Sequence, residues 1–157
     1  MVRNSLMNMN GMRSVTIPTD ELMREVVKLL AENQQVTIKA KGNSMLPFIA
    51  GGKDSVVLLK EATYRKGDIV LAEIAKSSFV LHRIMSINDE GVTLMGDGNV
   101  SGVERCRSNA IHGRAIAIIR KGKRVDCTRK WERIKAGAWA TLLPVRRYLL
   151  AIYRRIG

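Results

Sequence analysis

The sequence predicts a mainly β protein: a curved antiparallel sheet or partial barrel, with one helix before it and amphipathic helices after it. Three observations carry this. Between residues 36 and 120 apolar residues alternate with polar ones in short runs. Those runs are separated by Gly-Gly-Lys-Asp, Arg-Lys-Gly-Asp, Asn-Asp-Glu-Gly and Gly-Asp-Gly-Asn, all suited to turns. On either side of this stretch the apolar period becomes helical. A length of 157 residues allows one ordinary domain, and 46% apolar residues are enough to build its core. Only 4% are aromatic, so Val, Ile, Leu, Met and Ala must fill that core.

Pro18-Thr19-Asp20-Glu21 opens the first helix. Its acids favour the positive end of the helix dipole. Leu22, Val26, Leu29 and Leu30 recur at helical spacing, and Asn33 can end the run. Val36, Ile38 and Ala40 then alternate as in a strand. Further strands are expected over Ser55–Lys60, Asp68–Ile74, Phe79–Ile87, Val92–Met95 and Arg114–Arg120. Helical spacing returns at Thr128, with Pro144 suited to opening a second helix. Three segments are expected: a polar leader over 1–16, a β domain with its helix over 17–127, and a basic helical tail over 128–157.

The formal charge is +13. Residues 120–157 carry twelve Lys/Arg against two Asp/Glu, a net of +10. The tail is therefore expected to meet an anionic surface, the inner face of the cell membrane before nucleic acid. Trp131, Ile134, Ala138 and Leu142 form one apolar stripe. Val145, Tyr148, Leu149, Ile152 and Ile156 form another. The competing expectation is that these stripes pack on the sheet. The first fifteen residues hold no secretory-signal core, and no apolar run approaches the ~18 residues of a membrane span, which predicts a cytoplasmic location. Cys106 and Cys127 read as free thiols. Arg105 and Arg107 beside Cys106 are expected to lower its pKa. No residue pattern calls for a metal or another cofactor.

The chemistry-bearing residues sit in short boxes. In Gly42-Asn43-Ser44-Met45-Leu46-Pro47 a glycine turn can project the Ser44 hydroxyl and leave its N–H free, which suits a nucleophile and an oxyanion donor. Asn43 and Met45 flank it as candidate oxyanion and substrate contacts. On the strand Val80-Leu81-His82-Arg83-Ile84, His82 is a candidate general base. Asp97, in Gly96-Asp97-Gly98-Asn99, either sits in a plain turn or orients His82 and buttresses the site. His112 reads as a strand-end residue, and Asp54 and Asp68 as turn residues.

The order Gly-x-Ser-Met-x-Pro, Lys66-Gly67-Asp68-Ile69-Val70, His82-Arg83-Ile84, Gly96-Asp97-Gly98-Asn99, Gly113-Arg114 resembles the boxes of the signal peptidase I family. It is similar to the catalytic core of the self-cleaving repressors of the bacterial DNA-damage response. The resemblance covers about Val36 to Ile118. It implies Ser44 as nucleophile. It places His82 where bacterial signal peptidases and the repressors have lysine, and where the endoplasmic-reticulum, archaeal and sporulation-type enzymes have histidine. Asp97 falls on the family's aspartate. A further aspartate of the Ser–His branch is missing, since the sequence there reads Ser101-Gly102-Val103-Glu104. Asp97 or Glu104 takes that place, or a Ser–His dyad suffices. The implied activity is a serine endopeptidase that removes a leader or signal-like segment from a peptide or protein precursor. A self-cleaving regulator fits less well, because a single helix precedes Val36. The alternative is a non-catalytic basic module, for a membrane surface or nucleic acid, on a peptidase-like scaffold.

Overall fold

The computed structural model describes residues 19–156. The expected leader, 1–16, and the side chain of Trp131 lie outside the described residues. Helix α1 (Thr19–Ala31) precedes β1 (Val36–Lys39), β2 (Ser55–Leu59), β3 (Ile69–Ala75), β4 (Ser78–Asn88), β5 (Gly91–Met95), β6 (Glu104–Cys106), β7 (Ile111–Arg120) and β8 (Lys123–Asp126). Two helices close the chain, α2 (Lys130–Thr141) and α3 (Arg146–Ile156), with a single 3₁₀ turn, Leu143–Val145, between them.

The strands form one antiparallel sheet in the order β1-β2-β7-β3-β4-β5-β6, with β8 also paired to β7. Its centre is buried on both faces. Along β3, Ile69 and Leu71 join one apolar cluster while Val70 and Ala72 join another. A strand's side chains alternate between faces, so an unbroken apolar run is what a strand covered on both sides requires. The first cluster is closed by Val26 and Leu30 of α1. There the helix lies against Gly113 of β7, where an added Cβ would stand 3.1 Å from a Leu30 methyl. Asn33 adopts a left-handed φ of 59°, and its N–H bonds the Leu30 carbonyl, which turns the chain from α1 into β1.

A second constraint lies where the Ser44 loop rejoins the sheet. Asp54 is fully buried, accepts the Ala50 N–H at 2.8 Å, and faces the Arg120 guanidinium. Arg120 also donates to the Phe48 carbonyl at 3.0 Å. Burial works to raise the Asp54 pKa, but the Arg120 and Ala50 hydrogen bonds outweigh it and hold the carboxyl below its ordinary 3.8. A depressed carboxyl pKa stabilises the folded state above 3.8, and that stability is lost as pH falls through the folded value. Asp54→Asn is therefore expected to cost about 2 kcal/mol at neutral pH. The gap from the parent protein should narrow as melts are taken further below pH 3.8. A gap that stays constant with pH would contradict this reading.

Candidate active site

Ser44 lies in a loop of successive turns between β1 and β2. Gly42, with φ +68°, makes the left-handed turn into it. The loop is pinned from behind by Gly96–Asn99. Gly98 N–H donates to the Ser44 carbonyl at 2.8 Å. A Cβ on Gly96 would fall 2.3 Å from the Ser44 carbonyl oxygen, and one on Gly98 would fall 2.3 Å from that of Asn43. Two backbones can come this close only when both positions lack a side chain. The Ser44 N–H, by contrast, donates to no protein group among the described residues.

Across from it, β4 carries His82 and Arg83 side by side, and strand alternation sends them to opposite faces. His82, 5% exposed, turns to a cleft of about 440 Å³ that Ser44 also lines. Its walls include Leu22 and Met23 of α1, Ile38 of β1, Met45 and Phe79. Two strand edges border it: β1 ends the sheet, and β4 pairs with β5 only from Arg83 onward. His82 Nδ1 lies 2.8 Å from Glu104 Oε2 on β6. No hydrogen bond joins Ser44 to His82 among the described residues. Such contacts are often long until a substrate is bound.

Arg83 turns the other way. Its Nε and Nη2 donate to the two oxygens of Asp97 at 2.8 and 2.6 Å, and Nη1 donates to the Gly67 carbonyl at 2.7 Å. Its guanidinium lies 5.1 Å from the Phe48 ring centroid. One cation therefore ties the Gly67 turn, the Ser44 loop and the Gly96–Asn99 loop together. The tail completes the support. Trp139 of α2 donates its ring N–H to the Asp97 carbonyl at 2.8 Å and meets Phe48 edge-on. Arg133 reaches Asp68 at 2.8 Å, and Arg146 of α3 donates to the Asn99 carbonyl at 3.1 Å.

The expectations from sequence can now be placed. Ser44, His82 and Met45 share the cleft. Asn43 is exposed and lies beside the cleft wall, with its carbonyl accepting the Leu46 N–H. Asp97 does not orient His82. Its carboxylate is taken by Arg83, and the acid on the His82 ring is Glu104. Asp97 buttresses the loop instead. The structural part of Arg83 was missed, although alternation along β4 already separates it from His82. Asp68 accepts the Arg65 N–H at 2.8 Å and so does close its turn. His112 lines a different cavity, of about 300 Å³, and burial lowers its pKa. Cys106 and Cys127 are free thiols. The flanking arginines do not activate Cys106, because burial pushes its thiol pKa up, and burial raises that of Cys127 to about 11.

A sheet that brings a serine and a histidine to one strand-edged cleft, with a carboxylate on the histidine ring, fits a peptidase-like scaffold. Residues 14–116 match the family described as Peptidase S24-like, and the chain belongs to it. The match contains Ser44, His82, Asp97 and Glu104 and stops before α2. Comparison with curated proteins finds no match.

The close approach of the two loops generates a test. Gly98→Ala should push the Ser44 loop off the Gly96–Asn99 loop. Stability should fall by about 1–3 kcal/mol in urea unfolding, with the Ser44 amide NMR signal displaced. An unshifted Ser44 amide would show that the glycines are not what sets its position.

Proposed function

We propose that the protein is a serine endopeptidase that cleaves a leader or signal-like segment from a peptide or protein precursor. Ser44 is the nucleophile, His82 the general base and Glu104 the group that orients the base. The observation that carries this is the 2.8 Å contact between Glu104 and Nδ1 of His82, a residue that lines the same cleft as Ser44. With Nδ1 held by a carboxylate, Nε2 is the nitrogen left to take a proton, as a serine–histidine–acid arrangement needs. The serine–histidine branch of the clan, rather than the serine–lysine branch, is the reading that position 82 supports.

The reaction is acyl transfer. A peptide binds as an extended strand between the free edges of β1 and β4, its backbone groups pairing with theirs. His82 Nε2 takes the Ser44 hydroxyl proton as Oγ attacks the scissile carbonyl. The Ser44 N–H, unclaimed among the described residues, stabilises the oxyanion that forms. The protonated ring then gives its proton to the departing amine, and the C–N bond breaks. Water, deprotonated by the same nitrogen, releases the acyl group and restores Ser44. The apolar wall of Ile38, Met45 and Phe79 suits a small apolar residue just before the scissile bond.

The test is hydrolysis of a diverse peptide mixture followed by mass spectrometry. Ser44→Ala should lose at least ~10³-fold in rate. His82→Ala should lose nearly as much, and the double variant little more, because the pair acts as one unit. Glu104→Gln should keep the fold and lose ~10-fold or more, while His112→Ala should cleave like the parent. Parent-level cleavage by Ser44→Ala or His82→Ala would overturn the assignment. Parent-level cleavage by Glu104→Gln would reduce it to a dyad.

A further inference from the structure

Helices α2 and α3 reach the loops around the sheet through one face each and leave a second apolar face exposed. In α2 the inward side carries Ala136, with Arg133 and Trp139 making the contacts to the body. At 100° per residue, Ile134, Ala138 and Leu142 fall opposite Ala136. Ile134 is 60% exposed, and Leu142 and Ala138 are exposed as well. In α3, Arg146 and Leu150 are buried. Val145, Tyr148, Ile152 and Ile156 make the outer stripe, with Tyr148 57%, Ile152 55% and Ile156 82% exposed. Leu143, in the turn between the helices, is exposed too, so the uncovered apolar side chains continue from one helix to the next. The expectation that these two stripes pack on the sheet is therefore not met. The tail packs on the body through Arg133, Ala136, Trp139, Arg146 and Leu150, and among the described stripe side chains Leu149 alone is half-buried.

The charge around these stripes is of one sign. Residues 129–156 hold eight Lys/Arg and a single acid, Glu132, which pairs with Lys135. Arg133 and Arg146 are tied into the body. Arg129, Lys130, Lys135, Arg147, Arg154 and Arg155 are exposed. Aliphatic side chains this exposed gain nothing from a nucleic-acid backbone. At the headgroup zone of an anionic bilayer the aliphatics enter the acyl boundary while the cations meet phosphate, and both terms favour binding.

We propose that the outer face of α2 and α3 is a docking surface for an anionic lipid bilayer. Exposed apolar stripes inside a basic field supply the two signals that reversible membrane attachment needs. The proposal uses no residue of the Ser44 cleft and stands apart from the peptidase reading. Since Trp139 also meets Phe48, docking would fix the Ser44 loop relative to the bilayer.

The test is co-sedimentation of the full chain with vesicles of phosphatidylcholine alone or mixed with phosphatidylglycerol, at low salt. Binding should be at least ~10-fold tighter to the anionic vesicles. Tyr148→Asp with Ile152→Asp should weaken it at least ~10-fold, and so should Arg154→Glu with Arg155→Glu, with circular dichroism and melting temperature kept. No binding to anionic vesicles would overturn the proposal, leaving an acidic protein as the partner that fits. Tighter binding to a DNA duplex, untouched by the Tyr148 and Ile152 changes, would overturn it in favour of nucleic acid.

Discussion

The candidate site depends on the buried pair of Arg83 and Asp97. Taking two charges out of water costs several kcal/mol per ion, and such a pair is tolerated only when the remaining hydrogen-bonding capacity is also met. Arg83 meets it with a fork onto both Asp97 oxygens, a third bond to the Gly67 carbonyl and the face of Phe48. These partners come from three separate loops. Removing one partner would strand the other as an uncompensated buried charge, at a cost of about 3–5 kcal/mol. The pair therefore sets geometry more than it adds net stability.

What it holds is the Ser44 loop. The Gly96–Asn99 loop, anchored through Asp97, comes close enough for Gly98 to bond the Ser44 carbonyl. That bond fixes the Ser44–Met45 peptide, while the Ser44 N–H, on the preceding peptide, donates to no group among the described residues. On the preceding residue of β4, alternation gives His82 to the cleft, and Glu104 meets its ring. One dipeptide thus serves both the chemistry and its support. The helices beyond the family match belong to that support through Trp139 and Arg146, although their outer faces remain uncovered. Truncating the tail would strip the buttress as well as the surface charge.

Much of the fold was legible because its signals are local. The alternation at Val36–Ile38–Ala40, the turn glycines and the helical spacing of Leu22, Val26 and Leu30 mark their elements directly. Strand β6, three residues long, and β8, written Lys-Arg-Val-Asp, carry no apolar alternation to read. The boxes around Ser44, His82 and Asp97 do name the segments that meet. Which acid meets which base was not legible, because Asp97 and Glu104 lie only seven positions apart and their directions depend on where the chain leaves β5. The inward face of α2 was hidden for a related reason. Ala136 and Trp139 make a weaker apolar signal than the outward stripe, and the contacts that seat the helix are polar ones from Arg133 and the indole N–H. Burial rather than sequence neighbours decides Cys106, since adjacent residues on a strand face away from each other.

The most direct measurement on the central claim is covalent labelling with a fluorophosphonate, read by intact mass and peptide mapping. A hydroxyl activated by an oriented histidine should take up one phosphonyl group, on Ser44. The rate should fall sharply in His82→Ala and more modestly in Glu104→Gln, and it should be unchanged in His112→Ala. No adduct, an adduct on another residue, or a Ser44 adduct formed as fast in His82→Ala as in the parent would contradict the account.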